Sequence, residues 1–337
     1  MLFCNSCKNK IQEPPDLAFY HWQSTFNLTA TEKNYLQDIN ATKIYLRLFD
    51  IGWDAQRKAV TPLGVLSAAH QIPDSIAYIP TLFITNETMI KISDEAIAPL
   101  ADRILKKIKT LTEAYELPAF ESIQLDCDWS PKSKNKYFAL LTILKEKLVK
   151  DQIQLSATIR LHQIKYFKET GVPPVDRGIL MCYNTGDLND VNTQNSILDL
   201  AEAEKYFTNF EVYPLPLDLA LPIFAWTVVY RDGQFVKLIN NLRKETLETD
   251  ERFIKIKTNQ YQLVKSTYLQ GYYLYKDDLL RTEAIDKALL LKLSEKLSKH
   301  FNNQPQKFTL SFYHLDSATI NHFTYEQVQH TYQQFVE

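Results

Sequence analysis

Eight short apolar runs, rich in β-branched and aromatic residues, recur along the 337-residue chain, and most are separated by stretches of helical period. That alternation demands parallel strands, because a chain that passes through a helix returns to the same end of the sheet. The strands are expected at residues 17–23, 43–49, 76–85, 122–129, 154–162, 178–183, 217–226 and 308–314. Helices are expected at 31–38, 94–115, 133–150, 197–207 and 325–335, the first capped by Thr29 or Thr31. Closure into a (β/α)₈ TIM barrel accounts for eight strands better than an open doubly wound sheet does. No Gly-x-Gly-x-x-Gly follows the first strand, and only seven glycines occur in the chain. A dinucleotide fold and a phosphate loop are therefore excluded.

Two stretches break the rhythm. Asp232-Gly233 sits between apolar runs at 228–236, so the seventh strand should continue into a hairpin. Residues 240–306, rich in Lys, Glu and Tyr, form an insertion with a helix expected at 282–300. It should lie over the end of the seventh strand as a wall or a lid. The rest reads as one barrel domain over residues 17–337, preceded by a tail at 1–16.

Hydrophobic residues make up 45% of the chain, enough for a large core. A net charge of −2 gives no positive field to hold nucleic acid. The 19 Tyr, 18 Phe and 4 Trp are unusual. Most belong in the core, and those at strand ends suit stacking on the C–H faces of a sugar ring. Cys4 and Cys7 have C-x-x-C spacing, but no second Cys or His pair completes a zinc site. Cys7 instead precedes Lys8, Asn9, Lys10 and Pro14-Pro15, in the manner of the lipidated cysteine of a lipoprotein signal. The expectation is a cell-envelope protein anchored through Cys7, or a cytoplasmic one if Met1 is the true start.

Barrel enzymes work at the C-terminal ends of their strands. The ends here offer Tyr20, His21, Trp22 and Gln23; Arg47 and Asp50; Glu87; Asp126, Asp128 and Trp129; Arg160 and His162; Tyr183, Asn184 and Asp187; Trp226; and His314 and Asp316. Asp126 and Asp128 are two apart on one strand and so point to one side, into the barrel, while Ile123, Leu125 and Cys127 face the helices. Buried acids are costly unless paired or used. Either mutual repulsion raises one pKa and makes a proton donor beside a carboxylate, or Arg47 or Arg160 pairs with them. Those arginines could equally hold a sugar carboxylate. His21, His162 and His314 lack ligand spacing, so no metal is expected, and no cofactor. Asp218 falls at the bottom of the seventh strand and reads as structural.

Leu125-Asp126-Cys127-Asp128-Trp129 resembles the fourth-strand signature of the chitinase-like glycoside hydrolases, Asp-x-Asp-x-Glu with Trp before the Glu. Met181-Cys182-Tyr183-Asn184 resembles their sixth-strand stretch, and Trp226 is similar to the Trp that floors their sugar subsite. Tyr20-His21-Trp22-Gln23, residues 123–128 and residues 213–222 also resemble an uncharacterised bacterial family of barrel lipoproteins. The chitinase-like resemblance implies a carbohydrate partner and general acid catalysis. Asp128 would be the acid, Asp126 would hold it and Tyr183 would support the reacting centre. Tyr20, Trp22, Arg47, Trp129, Arg160, Asn184 and Trp226 would bind substrate. But Ser130 stands where that pattern has its catalytic Glu, and Ile123 where it has its first Asp. Then Asp128 must serve as acid, or another strand supplies one through Glu87, Asp187 or Asp316, or the protein only binds. A glycan-binding barrel without catalysis and a purely structural envelope protein are the alternatives.

Overall fold

The parallel strands close on themselves. In a computed structural model, which describes residues 13–70, 72–302, 304 and 306–336, eight strands run in chain order. They are β1 (Asp16–His21), β2 (Lys43–Asp54), β3 (Ala77–Ile84), β4 (Ser122–Asp126), β5 (Gln154–Arg160), β6 (Arg177–Met181), β7 (Leu217–Pro222) and β8 (Thr309–Tyr313). Each pairs in parallel with the next, and β8 pairs with β1, so the sheet is a closed (β/α)₈ barrel. Cys4 and Cys7, and with them the expected lipid anchor, lie outside the described residues.

The helices form where apolar residues repeat at helical spacing. Helix α1 (Ala30–Asp38) begins at Thr29, which forms a capping box with Glu32. Helix α2 (Ile97–Ala114) buries Ile97, Leu100, Ala101, Ile104, Ile108 and Leu111, one stripe against the barrel. Helix α3 (Lys134–Leu148) packs against β5 and α2, and α4 (Lys287–Phe301) and α5 (Tyr325–Gln333) pack on each other near β8. The helix expected at 197–207 shrinks to Leu200–Glu204.

Alternate residues fill the barrel interior. Its lower layer is ionic: Lys43 and Lys307 pair with Asp16 at 2.7 and 2.6 Å, and Arg177 with the buried Asp218 at 3.2 Å. This places Asp218 at the end opposite the cavity described below. Burial pushes its carboxyl up to about 6, against the Arg177 charge and the Thr309 N–H, which pull it down.

Two differences from the expected elements shape the site. β2 runs on past residue 49 and folds back antiparallel through Ala59–Leu63, a hairpin with no Asn-Gly or Asp-Gly signal at its tip. And the seventh run ends at Pro222; Ala225–Arg231 starts a separate five-stranded antiparallel sheet. Its order is Gln234–Asn240, Ala225–Arg231, Leu279–Ala284, Gln260–Leu263, Phe253–Lys257. The Asp232-Gly233 hairpin is present, with both residues at positive φ (51° and 75°) as a two-residue turn requires. Residues 279–284, partly assigned to a helix from the sequence, are a strand, and α4 starts only at Lys287. One face of this sheet builds a small core from Val229, Ile239, Tyr261, Leu263, Leu274 and Leu280. The other meets the loop at 185–197: the Tyr230 hydroxyl donates to the Leu188 carbonyl at 2.7 Å and the Gln260 amide to that of Val191 at 2.8 Å.

Candidate functional site at the barrel mouth

A cavity of about 470 Å³ opens at the C-terminal ends of the strands. Trp22, Asp126, Asp128, Arg160, Tyr183, Asn184 and Trp226 line it, together with Phe83, Met181, Phe224, Asn240, Asn241, Tyr313, His314 and Asp316.

Its floor is aromatic, and Tyr313 lies at the centre. The Tyr313 ring stacks on Tyr183 at 5.5 Å and stands edge-on to Phe224 at 5.4 Å and to Trp22 at 5.7 Å. Phe224 in turn meets Trp226 at 5.1 Å. Sequence reasoning passed over Tyr313. The signal was there, since Thr309, Ser311 and Tyr313 alternate inward along β8. Burial raises the pKa of both the Tyr183 and Tyr313 hydroxyls, so they are neutral donors at ordinary pH.

Trp226 is held by a group far away in sequence. Its indole N–H donates to Glu283 Oε2 at 2.7 Å. The same oxygen accepts from the Ser196 backbone N–H and hydroxyl, and Oε1 accepts from Arg281 Nε at 2.6 Å. The Arg281 and Glu283 side chains are fully buried. Arg281 also donates to the Asp190 carbonyl at 2.6 Å, so one ion pair ties the insertion sheet, the loop at 185–197 and the cavity wall together.

The two aspartates of β4 both reach the cavity, and the register of β4 with β5 fixes their partners. Gln124 pairs with Ser156, so two residues on Asp126 faces Thr158, and two further on Asp128 faces Arg160. The Thr158 hydroxyl donates to Asp126 Oδ1 at 2.6 Å. Burial, then the neighbouring Asp128 charge, push the Asp126 carboxyl up to about 6. Asp128 accepts a bidentate fork from Arg160, Nε at 2.6 Å and Nη2 at 2.9 Å. Both its oxygens are acceptors. At the other end of the cavity Asp316 accepts from Asn241 at 3.1 Å and from the Thr319 N–H at 2.6 Å, and pairs with His314 Nε2 at 2.6 Å. Burial lowers the pKa of His314, against the Asp316 charge, which raises it.

Other expected site residues lie elsewhere. Tyr20 is buried beneath the cavity, stacked on Tyr45 at 4.6 Å, and forms no sugar-facing wall. Arg47 turns to Asp50 at 2.5 Å, with its guanidinium 5.8 Å from the Trp22 ring, because β3 separates its strand from β4. Trp129 has the parity of the helix-facing residues. It packs on Tyr137 at 5.7 Å and donates to the Thr170 carbonyl at 3.2 Å. Glu87 pairs with Lys91 on the surface, and Asp187 accepts from the Asn189 N–H in its own loop. Ser130 does not line the cavity; its hydroxyl donates to Asn86 at 3.3 Å and its N–H to the Ser133 hydroxyl at 2.9 Å. His21, His162 and His314 do not converge, and among the described residues no cluster of His, Cys, Asp and Glu fits a metal ion.

No protein-family model matches the chain, and no curated protein matches it. Solved structures do. A chitinase from Chromobacterium violaceum superposes with a TM-score of 0.55 at 11% identity, over 94% of this chain and 98% of that one. A GH18 chitinase from Flavobacterium johnsoniae gives 0.54 at 11%, over 96% and 94%. A class V chitinase from Nicotiana tobaccum, solved as a mutant in complex with NAG4, gives 0.52 at 11%, over 96% and 99%. At these identities the likeness is one of fold: the chain has the (β/α)₈ barrel fold of these chitinase structures.

Proposed function

We propose that this chitinase-type barrel binds a carbohydrate at its mouth without cleaving it. Ser130 carries the reading. It holds the place of the family's proton donor, and its hydroxyl is spent on Asn86, away from the cavity. Among the cavity carboxylates, Asp128 and Asp316 are each engaged by fixed donors. What is left suits recognition: an aromatic floor for ring faces, and around it Asn184, Asn240, Asn241 and the Asp128–Arg160 pair for hydroxyls. A glycan chain, as in the NAG4 complex of the tobacco chitinase, is the ligand class that uses both.

The test pairs binding with turnover. The protein is titrated with a panel of oligosaccharides and incubated with aryl glycosides. Binding without release of sugar is expected. Trp22→Ala and Tyr313→Ala should each weaken binding by about 1–3 kcal/mol through the lost stacking area. Asp128→Asn should weaken it by a similar amount, about 1–3 kcal/mol, through a lost charge-assisted hydrogen bond. If no panel member binds, or if affinity survives both aromatic replacements, the site is not a glycan site.

Hydrolysis is the second reading, and Asp126 is what favours it. A carboxyl pushed up to about 6 and facing the cavity can hold a proton near neutral pH. Turnover by the parent that disappears in Asp126→Asn would establish this reading over the first.

A further inference from the structure

The insertion sheet carries a second surface that the cavity does not use. The strands Thr267–Leu269 and Tyr272–Leu274 form a small hairpin in which Tyr268 pairs with Tyr273. On a strand the next residue of that face is Tyr275. Their rings form a contiguous cluster, Tyr268 to Tyr273 and Tyr273 to Tyr275 both at 4.9 Å. All three are open to solvent, with exposures of 72%, 41% and 51%. Among the described residues, no protein group hydrogen-bonds their hydroxyls. The hairpin's Leu269 and Leu274 point the other way, into the small core.

One ring of the cluster, Tyr275, is held in place. The Arg231 guanidinium lies 4.2 Å from the Tyr275 ring centroid. Arg231 is itself forked onto Asp278 at 2.7 and 2.8 Å, and Asp278, with a fully buried side chain, also accepts the Tyr275 N–H at 2.8 Å. A ring fixed in this way loses little freedom on binding.

We infer that this tyrosine hairpin is a second glycan platform, which holds a polysaccharide chain beyond the cavity. The inference rests on the carbohydrate reading of the cavity for its ligand class. The chemistry of the face agrees with it. Three rings and three unpaired hydroxyls match a ligand of C–H faces and hydroxyls, and the hairpin's own aliphatic side chains, Leu269 and Leu274, are turned inward. Position agrees as well. The strand Ala225–Arg231 starts at the cavity wall with Ala225 and Trp226 and ends at Arg231 beside Tyr275. Five residue steps separate Trp226 from Arg231, roughly 17 Å of strand, and the two side chains leave opposite faces of the sheet, so a bound chain would have to round its edge. A single sugar cannot span that distance, whereas a chain of several units can. Between Phe253 and Lys276 the sequence has four Lys and no Asp or Glu, so acidic chains are included among the probes.

The test compares short and long ligands. Insoluble chitin, cellulose and pectate are used for co-sedimentation, and chito-, cello- and galacturonate tetrasaccharides for titration. The proteins are the full chain, the triple variant Tyr268→Ala/Tyr273→Ala/Tyr275→Ala, its Phe counterpart and Trp22→Ala. The Ala triple should lose at least about tenfold in affinity for the polymer while its tetrasaccharide affinity stays within twofold. The Phe triple, which keeps the rings, should retain most polymer binding and controls for folding. Equal polymer binding by the Ala triple, or tetrasaccharide binding by the parent with no polymer binding, overturns the platform and leaves the cavity reading standing. Polymer binding that needs the tyrosines, with no tetrasaccharide binding by any form, overturns the cavity and leaves the platform. Sedimentation velocity covers the remaining occupant: a parent dimer that the Ala triple dissociates makes the face a self-contact and overturns the inference.

Discussion

Glu283→Ala should destabilise the folded protein by roughly 3–5 kcal/mol, the range found when one partner of a buried ion pair is removed. Three losses coincide. Arg281, fully buried, keeps its charge and loses the carboxylate it pairs with. The Ser196 N–H and hydroxyl lose their acceptor, and the Trp226 indole loses the hydrogen bond that holds it in the cavity wall. Denaturant unfolding measures the stability loss as a drop in midpoint at unchanged slope. Glu283→Gln separates the effects. It preserves an acceptor for Trp226 and Ser196 but not the charge opposite Arg281. Glu283→Gln should therefore leave the Trp226 fluorescence environment close to that of the parent while still losing stability. A Glu283→Ala variant within about 1 kcal/mol of the parent would show that water reaches Arg281 and that the ion pair is not what joins sheet to barrel.

The second large effect is on pH dependence. The Asp126 carboxyl is raised from 3.8 to about 6, by burial first and by Asp128 second. The native state therefore holds a proton that the unfolded chain releases from about pH 4 upward. The stability linked to this group is fully present below pH 4 and is lost as pH rises through 6. A shift of about two units corresponds to roughly 3 kcal/mol. Asp126→Asn cannot ionise, so its stability relative to the parent should rise across pH 4–6 and level off above. The parent's curve alone does not isolate this. Asp218, also raised to about 6, adds a slope of the same sign. His21, lowered by burial to about 4, adds the opposite one, its contribution falling away as pH drops from 6.5 toward 4. Both groups are present in parent and variant, so they cancel in the difference between the two urea midpoints. Curves that stay parallel from pH 4 to 8 would mean that Asp126 remains ionised throughout.

Much of the barrel was legible because its signals are local and periodic. The eight apolar runs lie within a few residues of the eight barrel strands. The two-residue parity of residues 123–128 put Asp126 and Asp128 inside; carried one step further it places Trp129 with the helix-facing residues, where the structure has it, although Trp129 was assigned to substrate. Asp232-Gly233 marked its hairpin because two adjacent residues at positive φ need that chemistry. Thr282 and Glu283, taken into the helix expected at 282–300, misled, since charged residues next to α4 fit helical period. In the fold they sit between two strands of a sheet, where Arg281 and Glu283 share a face and pair.

The sequence by itself therefore determined the fold class, the inward parity of the acidic strand and the absence of an acid at Ser130, because each of these is a property of neighbouring residues. Only the tertiary structure decided who meets whom. Asp128 could have paired with Arg47 or Arg160, and strand order chose Arg160, one strand away and in register, while β3 kept Arg47 at a distance. Trp226 found its anchor 57 positions away in Glu283. Tyr313 became the centre of the floor because β8 closes the barrel beside β1 and β7, bringing Trp22, Tyr183 and Phe224 around one ring. Such contacts depend on closure and register, which no window of the sequence contains.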